Sequence, residues 1–361
     1  MKHLLTAFVA LIGILSIQSC KEDVDLIGEF TETAIIYGLL DKADSVHMIK
    51  INRAFIGPGN SLQIAQIPDS SYFKQVTATV TEVGGLNRVW TLQDTIVDNK
   101  DPNGVFYAPN QKLYYFETLT SQPLDDNAKY ILNVSVNNGE FEITGETNLV
   151  KGITSPLSSQ NSRFTFADDP GEYVNTLIQV QTGNSAIVNT TITVNYNEYV
   201  GGVPTKNSFD WVVGEQESSA TNLNEIITFS ANGETFYNLV KADCQGTNPL
   251  IDRRTLTSFT VKITGGSADF YNYILVNKPS SSLAQSKPTF TNLTATNGHP
   301  VIGIFSSRFT YSFQKDMIVG SSSFLRALDK KSTSELCIGP ITGAFFFCSD
   351  HPGDNAETYN C

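Results

Sequence analysis

The thiol of Cys20 is the group whose position most clearly predicts chemistry in this chain of 361 residues. It follows a short basic start at Lys2 and an almost unbroken apolar run over residues 4–17. That run suits the apolar core of a secretion signal, whereas a membrane-spanning helix needs about 20 apolar residues. We therefore expect residues 1–19 to be a signal peptide, and Cys20 to be acylated and to anchor the chain to a membrane.

The three residues after Cys20 resemble an export signal. Lys21, Glu22 and Asp23 are similar to the signal of Bacteroidota lipoproteins, in which a basic residue and two acidic residues follow the lipidated cysteine. The resemblance implies an outer-membrane lipoprotein that is exposed at the cell surface. Residues 20–30 would then form a lipidated tether.

The other four cysteines predict disulfides, because an exported chain meets an oxidising compartment and their number is even. They are Cys244, Cys337, Cys348 and Cys361. Three pairings are possible, and we favour a local Cys337–Cys348 bridge across a Gly-Pro turn, with Cys244–Cys361 holding the tail. A zinc site is the alternative, but thiolate sites usually contain cysteines paired at close spacing. We therefore expect no metal.

Hydrolytic chemistry has little support in this sequence. His47, His299 and His351 are far apart, and no Gly-x-Ser-x-Gly elbow accompanies them. The segment 98–104 superficially resembles a calcium loop, but a lysine and a proline occupy positions where an EF-hand presents oxygen ligands. We expect no catalytic residues, no enzyme activity and no cofactor.

Composition excludes one class of partner and limits how the chain can meet a membrane. The net charge is −12 with 17% charged residues, and no cluster of Lys and Arg interrupts this acidic character. Such a surface repels phosphate backbones, so we do not expect nucleic-acid binding. No second apolar stretch has membrane length. Membrane attachment should therefore depend on the lipid and on any protein partner.

The first half of the chain predicts a β-sandwich. β-branched and aromatic residues alternate with polar ones in seven short segments. These are 33–40, 47–55, 75–83, 88–92, 112–117, 130–136 and 140–146. The count favours an immunoglobulin-like or prealbumin-like sandwich over residues 31–152. Tyr130 supports this prediction, because it follows a turn and precedes alternating apolar residues, as in a tyrosine corner.

The second half predicts a β-rich domain with a few short helices over residues 163–361, so the whole protein should be mainly β. Expected strands are 163–166, 174–181, 190–196, 209–213, 225–229, 258–264 and 301–309. Apolar residues at helical spacing predict helices over 233–242, 268–276 and 322–330, with caps at Asn232, Ser267 and Ser321. A Ser- and Pro-containing stretch at 154–162 marks the boundary.

One late segment completes a wider resemblance. Residues 297–308 read Asn-Gly-His-Pro-Val-Ile-Gly-Ile-Phe-Ser-Ser-Arg. Together with the lipidation signal, the acidic residues, the strand at 34–40 and the tyrosine corner, this segment resembles the Bacteroidota outer-membrane lipoproteins of domain of unknown function 4249. The resemblance implies a role beside a TonB-dependent β-barrel receptor, and the family has no catalytic residues to transfer.

Two functions follow from these observations. The first is a lipid-anchored accessory protein that binds an outer-membrane β-barrel, such as a TonB-dependent transporter, and assists cargo capture or assembly. The alternative is a stand-alone glycan- or peptide-binding module at the surface, and a hydrolase is a distant third.

The sequence offers candidate residues for barrel binding, for sugar binding and for O-glycosylation. The long loop 56–68 would contact the barrel through Leu62, Ile64 and Ile67, with Tyr72 and Phe73 nearby, unless it folds back over its own core. Aromatic platforms for a sugar would come from Tyr72, Phe73, Trp90, Trp211, Tyr271 and Tyr273. Ser45 and Thr95 match a short O-glycosylation pattern, in which an acidic residue precedes the hydroxyl and an apolar residue follows it.

Overall fold

The structure is a computed structural model that describes residues 32–54, 60–219, 225–246, 248–278, 289–319 and 326–361. Cys20 and the predicted export signal Lys21, Glu22 and Asp23 lie outside the described residues. Within those ranges, no helix is long and apolar enough to cross a membrane.

The described strands are β1 (Ala34–Leu40), β2 (Val46–Arg53), β3 (Val76–Val83), β4 (Val89–Thr91), β5 (Gln93–Asp98), β6 (Asn110–Glu117), β7 (Lys129–Val136), β8 (Phe141–Asn148), β9 (Ile153–Thr154), β10 (Ala167–Asp169), β11 (Glu172–Tyr173), β12 (Asn175–Thr182), β13 (Ile187–Val200), β14 (Val203–Glu217), β15 (Ile226–Asn232), β16 (Arg253–Gly266), β17 (Leu293–Ala295) and β18 (Val301–Asp316). The α-helices are α1 (Ser61–Ala65), α2 (Leu157–Asn161), α3 (Gly233–Cys244), α4 (Ala268–Asn277) and α5 (Lys330–Ile338). Short 3₁₀ turns occupy Pro68–Ser71, Thr296–Gly298, Gly343–Phe345 and Pro352–Asp354. The mainly β fold class is confirmed.

Two sheets enclose the first core. One sheet has the order β17-β8-β7-β3-β4, and the facing strands follow the order β18-β1-β2-β6-β5. Buried residues alternate with half-buried ones along β1 and with exposed ones along β8, which gives each sheet one apolar inner face. Ile36, Ile49, Leu132 and Phe141 are fully buried between the two sheets.

The long strand β18 connects this sandwich to the rest of the molecule. Residues 301–307 pair in parallel with β1, and residues 308–316 pair antiparallel with β16. The combined sheet therefore has eight strands in the order β14-β13-β16-β18-β1-β2-β6-β5.

A second core lies behind the β14-β13-β16 half of that sheet. It includes Val194, Phe259, Phe229 and Phe236, which come from β13, β16, β15 and α3. The sheet β15-β12-β9 and the helix α3 cover this half.

The predicted domain of residues 31–152 is incomplete as a structural unit. Residues 293–307, which we assigned to the second domain, supply β17 to one sheet of the first sandwich and part of β18 to the other. Leu293 and Phe305 are also buried in the first core. The local sequence pattern identifies β18 as a strand but does not show which strands it pairs with. The predicted boundary between the two domains is therefore wrong for residues 293–307.

Several local predictions are confirmed. Tyr130 is fully buried, and its hydroxyl accepts from the Asp125 amide at 2.6 Å and donates to the Asp125 carbonyl at 3.1 Å, as in a tyrosine corner. The helices predicted over 233–242 and 268–276 are α3 and α4. Asn232 and Ser267 accept hydrogen bonds from main-chain amides of the first helical turn.

Two local predictions are wrong. Residues 163–166 form no strand, and Phe164 makes only a single bridge with Leu328. The helix predicted over 322–330 begins only at Lys330, because Asp329 caps it by accepting from the Ser332 amide at 3.0 Å. Residues 320–325, including Ser321, lie outside the described residues.

The favoured disulfide pairing is also wrong. Cys348 is bonded to Cys361, with Cα atoms 5.1 Å apart, because the amide of Cys361 donates to the carbonyl of Ser349 and aligns the tail with residue 348. Cys337 faces the second core from α5, and Cys244 is buried at the end of α3. Burial raises the pKa of Cys337 to about 12 and that of Cys244 to about 11.

Candidate ligand cleft and docking face

The outer face of β1 is apolar, although the outer face of an antiparallel sheet in a sandwich usually carries polar residues. Ile36 and Leu40 point into the core, so Ile35, Tyr37 and Leu39 face outward. On β2, Met48 lies on the same outer face and is 46% exposed. The sheet therefore presents an apolar surface that is only partly covered.

Two rows of side chains across β1 and β2 form the floor of a depression on this face. The side chains that line it in these rows are Ile35 with Asn52 and Tyr37 with Lys50, whereas Ile304, the β18 neighbour of Tyr37, lines a second depression. The loop over residues 100–106 forms a wall, with Val105 and Phe106 largely exposed. We call this space the cationic cleft, and its lining includes Ile35, Tyr37, Lys50, Asn52, Arg53, Lys100 and Phe106. Its volume is about 670 Å³.

The charge of the cleft is opposite to that of the whole chain. Lys50, Arg53 and Lys100 line it with one acidic residue, Asp101, although the chain carries a net charge of −12. Arg53 is paired with Glu32, whose Oε1 lies 2.8 Å from Nη1. Among the described residues, neither Lys50 nor Lys100 forms an ion pair with a carboxylate.

Lys100 is held in an unfavourable environment for a charged amine. Its Nζ donates to the carbonyl of Tyr107 at 3.0 Å. Burial lowers the pKa of Lys100, and the positive charge of Lys50 lowers it further. An anion near both amines would relieve this repulsion.

Asn52 is the buried polar residue of the cleft. It is only 9% exposed, and its Oδ1 makes no hydrogen bond with any described residue. Ile49 and Ile51 of the same strand point into the core, and side chains alternate along a strand, so the Asn52 side chain faces the cleft. A buried amide oxygen without a partner is unfavourable by about 1–3 kcal/mol, and a donor group of a ligand would satisfy it.

Tyr37 separates the cationic cleft from a second depression. Its hydroxyl accepts from Tyr273 of α4 at 3.0 Å, and the two rings meet edge to face with centroids 5.9 Å apart. Burial raises the pKa of Tyr37 to about 12. The second depression, the helix groove, has a volume of about 500 Å³ between Phe270 and Tyr273 of α4 and Leu39 and Met48 of the sheet.

The helix α4 is apolar but has no buried residue. Its sequence contains Phe270, Tyr271, Tyr273, Ile274, Leu275 and Val276. Leu275 is 42% exposed. The start of the helix is fixed because the Ser267 amide donates to the Ser307 carbonyl at 3.1 Å. We define the docking face as α4 together with Leu39, Val46 and Met48.

Residues 56–59 of the predicted contact loop lie outside the described residues, and the rest of the loop partly folds back on its own sandwich. Residues 61–65 form α1, and the amide of Tyr107 donates to the carbonyl of Ala65 at 2.9 Å. Leu62 is nevertheless 60% exposed, Ile67 is also exposed, and Ile64 is half-buried. Leu62 and Ile67 therefore remain accessible.

Two proposed aromatic contacts are wrong because the side chains are buried. Phe73 packs in the first core against Phe141, with ring centroids 6.0 Å apart. Trp211 packs in the second core. Tyr72 is half-buried, and its hydroxyl accepts from the Lys112 amide at 3.0 Å. Trp90 is half-buried and packs against the first core.

The remaining candidate residues lie apart from the cleft. Ser45 is exposed just before β2, whereas Thr95 is half-buried in the edge strand β5, so glycosylation at both stays a prediction. His47 is buried against Phe116, and burial lowers its pKa to about 4. His299 stacks on Phe141 with centroids 4.0 Å apart. His351 accepts from the Gly353 amide at 3.0 Å.

Sequence reasoning missed Lys50, Asn52 and Lys100 as site residues. Lys50 and Asn52 are two apart in a predicted strand, which places them on one face. In the sequence, Lys100 served only to exclude a calcium loop at residues 98–104. The signal in the sequence was the pair of polar residues on β2 that share a sheet face with the apolar residues of β1. Only the tertiary structure shows that Lys100 lies close to this pair.

Comparisons with known proteins add little to this description. No family model matches the chain, and a search of curated proteins found no match. Among solved structures, the chain is similar to the C-terminal globular domain of an oligosaccharyltransferase from Pyrococcus abyssi, with 9% identity and a TM-score of 0.24. The match covers 63% of this chain and 44% of that one, so the chain spans less than half of the matched structure. A similarity at this TM-score supports no functional conclusion.

Proposed function

We propose that this protein is a lipid-anchored accessory protein of the outer membrane that binds a β-barrel partner through the docking face. The observation that carries the proposal is α4, an apolar ten-residue helix without a buried residue. Exposed apolar surface that adjoins polar surroundings commonly marks a protein contact. The apolar outer face of β1 and β2 extends this surface next to the helix.

The predicted tether supports a partner in the same membrane. Residues 20–31 would span at most about 40 Å between an acylated Cys20 and the first described residue, Glu32. Glu32 is paired with Arg53 and lies two residues before β1, which contributes Leu39 to the docking face. A chain tethered in this way stays near the rims of neighbouring barrels.

Affinity purification from gently solubilised membranes tests the contact. We expect the wild-type protein to retain a barrel protein, and Leu275→Arg and Met48→Arg to lose it, because both positions are exposed and a charge there opposes an apolar interface. Leu177→Arg is the matched control, since Leu177 is 61% exposed on β12. Leu62→Arg tests the loop separately.

Two outcomes would contradict the proposal. If wild-type protein retains no barrel protein above background, the accessory function is wrong. If Leu275→Arg and Met48→Arg retain the partner as well as Leu177→Arg does, the docking face is wrong.

Membrane location has its own test. Cys20→Ala should release the protein from membranes. Replacing Lys21, Glu22 and Asp23 with alanine should leave it lipidated but facing the periplasm. Protease treatment of whole cells measures this difference, and equal degradation of wild-type and triple-variant protein would refute the export signal.

A further inference from the structure

The cationic cleft contains two amines that an anion would satisfy. Lys50 and Lys100 both line it, and neither is paired with a carboxylate among the described residues. The chain is strongly acidic overall, so a local excess of positive charge attracts anions to this place rather than to the surrounding surface. The ligand should therefore carry a carboxylate or a similar anionic group.

The cleft also requires a hydrogen-bond donor. The Oδ1 of Asn52 is buried, faces the cleft and has no partner in the described chain. A simple fatty acid has no donor for this oxygen. A hydroxyl group can both donate and accept, so it satisfies the Asn52 amide in either orientation.

The remaining lining favours a ring with an apolar face and a polar rim. Ile35, Tyr37 and Phe106 supply apolar and aromatic surface, while Ser71 and Gln111 add polar groups near it. Sugar rings present C–H groups on one face and hydroxyls at the edge. The volume of about 670 Å³ falls within the range of about 300–1,000 Å³ that is usual for small-ligand sites.

The geometry points to a binding site for an acidic saccharide in the cationic cleft, with the carboxylate near Lys50 and Lys100 and a hydroxyl at Asn52. This site does not depend on a barrel partner. It lies on the opposite side of Tyr37 from the helix groove.

Calorimetric titration of the full protein, purified from membranes in detergent, tests the ligand class. The probes are a galacturonic acid trimer, a hyaluronan tetrasaccharide, the methyl ester of the galacturonic acid trimer, octanoate and an acetylated tripeptide. We expect at least one uronic acid oligomer to bind and the ester to bind at least tenfold more weakly, because esterification removes the charge and keeps the ring. Binding should also weaken as salt screens the amines.

Three variants locate the binding. Lys50→Gln and Lys100→Gln should each weaken uronate binding at least tenfold, whereas Lys50→Arg should retain most of it. Lys74→Gln is the matched control, because Lys74 is exposed and lies outside the cleft lining. Urea unfolding of each variant separates a loss of binding from a loss of folding, and the loop position of Lys100 makes it the safer substitution.

Each opposing result would overturn the proposal. Failure of both uronic acid oligomers to bind excludes an acidic saccharide. Equal binding of acid and ester excludes the role of the amines. Tighter binding of octanoate or the tripeptide assigns the cleft to another ligand class. Equal loss in Lys74→Gln shows that only overall charge matters. None of these results depends on whether a barrel protein is retained.

Discussion

The main chain of Ile36 leaves no space for a side chain at Gly303. These two residues face each other in the parallel pairing of β1 and β18. Gly303 has φ +103°, and a Cβ at this position would lie 1.9 Å from the Ile36 oxygen and 2.8 Å from its carbonyl carbon. Real Cβ atoms essentially never approach other heavy atoms within 3.0 Å. Gly303→Ala therefore forces β1 and β18 apart by at least 1 Å.

Two energetic terms oppose Gly303→Ala. Backbone strain at this φ is worth about 1–3 kcal/mol for a residue with a Cβ. Overlap with the main chain of Ile36 adds about 1–3 kcal/mol of overpacking, together with about 1 kcal/mol for each ladder hydrogen bond that is lost. We expect the free energy of unfolding to fall by about 3–5 kcal/mol.

Gly139→Ala separates these two terms. Gly139 has φ +90°, similar to that of Gly303, but nothing lies within 4 Å of a Cβ there. This variant should show only the strain term. The difference between the two variants measures the overlap at the β1–β18 pairing, which we expect to be about 2 kcal/mol or more.

Urea unfolding followed by tryptophan fluorescence provides the assay. Trp90 packs against the first core and Trp211 lies in the second, so Trp90→Phe and Trp211→Phe backgrounds report each core separately. Because β18 contributes to both halves, Gly303→Ala should lower both transitions. If Gly303→Ala and Gly139→Ala differ by less than about 0.5 kcal/mol, the close approach of Gly303 to Ile36 is wrong.

Further predictions concern buried groups and the tail. Burial lowers the pKa of His47 from 6.5 to about 4, so the unfolded chain binds a proton between these values while the folded chain does not. The free energy of unfolding should therefore fall by up to about 3 kcal/mol as the pH drops through this window. Urea unfolding at pH 7.5 and 4.5 measures this decrease, and His47→Phe should remove the contribution of His47 to it. Lys315 donates hydrogen bonds to three main-chain carbonyls at 2.5–2.9 Å, so Lys315→Met should lower the free energy of unfolding by about 2–4 kcal/mol. Lys74→Met on the exposed surface is the control and should change it little. Equal losses in the two variants would contradict the role of these hydrogen bonds. Thiol labelling of the unfolded, unreduced chain without residues 1–20 should modify two sulfurs, because a disulfide joins Cys348 to Cys361 and the thiols of Cys244 and Cys337 are not in disulfides, and fewer modified thiols would indicate a second bridge. Reduction should then expose all four, and loss of a bridge that closes a loop of this length should lower stability by about 3 kcal/mol.

The sequence determined the local elements of this protein. Alternation of apolar and polar residues identified most strands, because side chains of a strand point to opposite faces in turn. The position of Tyr130 after its turn predicted the tyrosine corner. Helical spacing with capping residues at Asn232 and Ser267 located α3 and α4. Each of these features depends on residues that are near one another in the chain.

Only the tertiary structure decided which distant segments meet. A period of two shows that β1 and β18 are strands, but it does not show that residue 34 lies beside residue 301. The free energy of closing a long loop changes little with its length, so sequence separation does not select the partner. The same limit applies to the cysteines, since Cys337 had a plausible local partner but its helix turns it toward the core. The cleft combines Lys50 and Asn52 of β2 with Lys100 of a later loop, and no residue of α4 is fully buried although its sequence is apolar. Packing between distant elements determines both features.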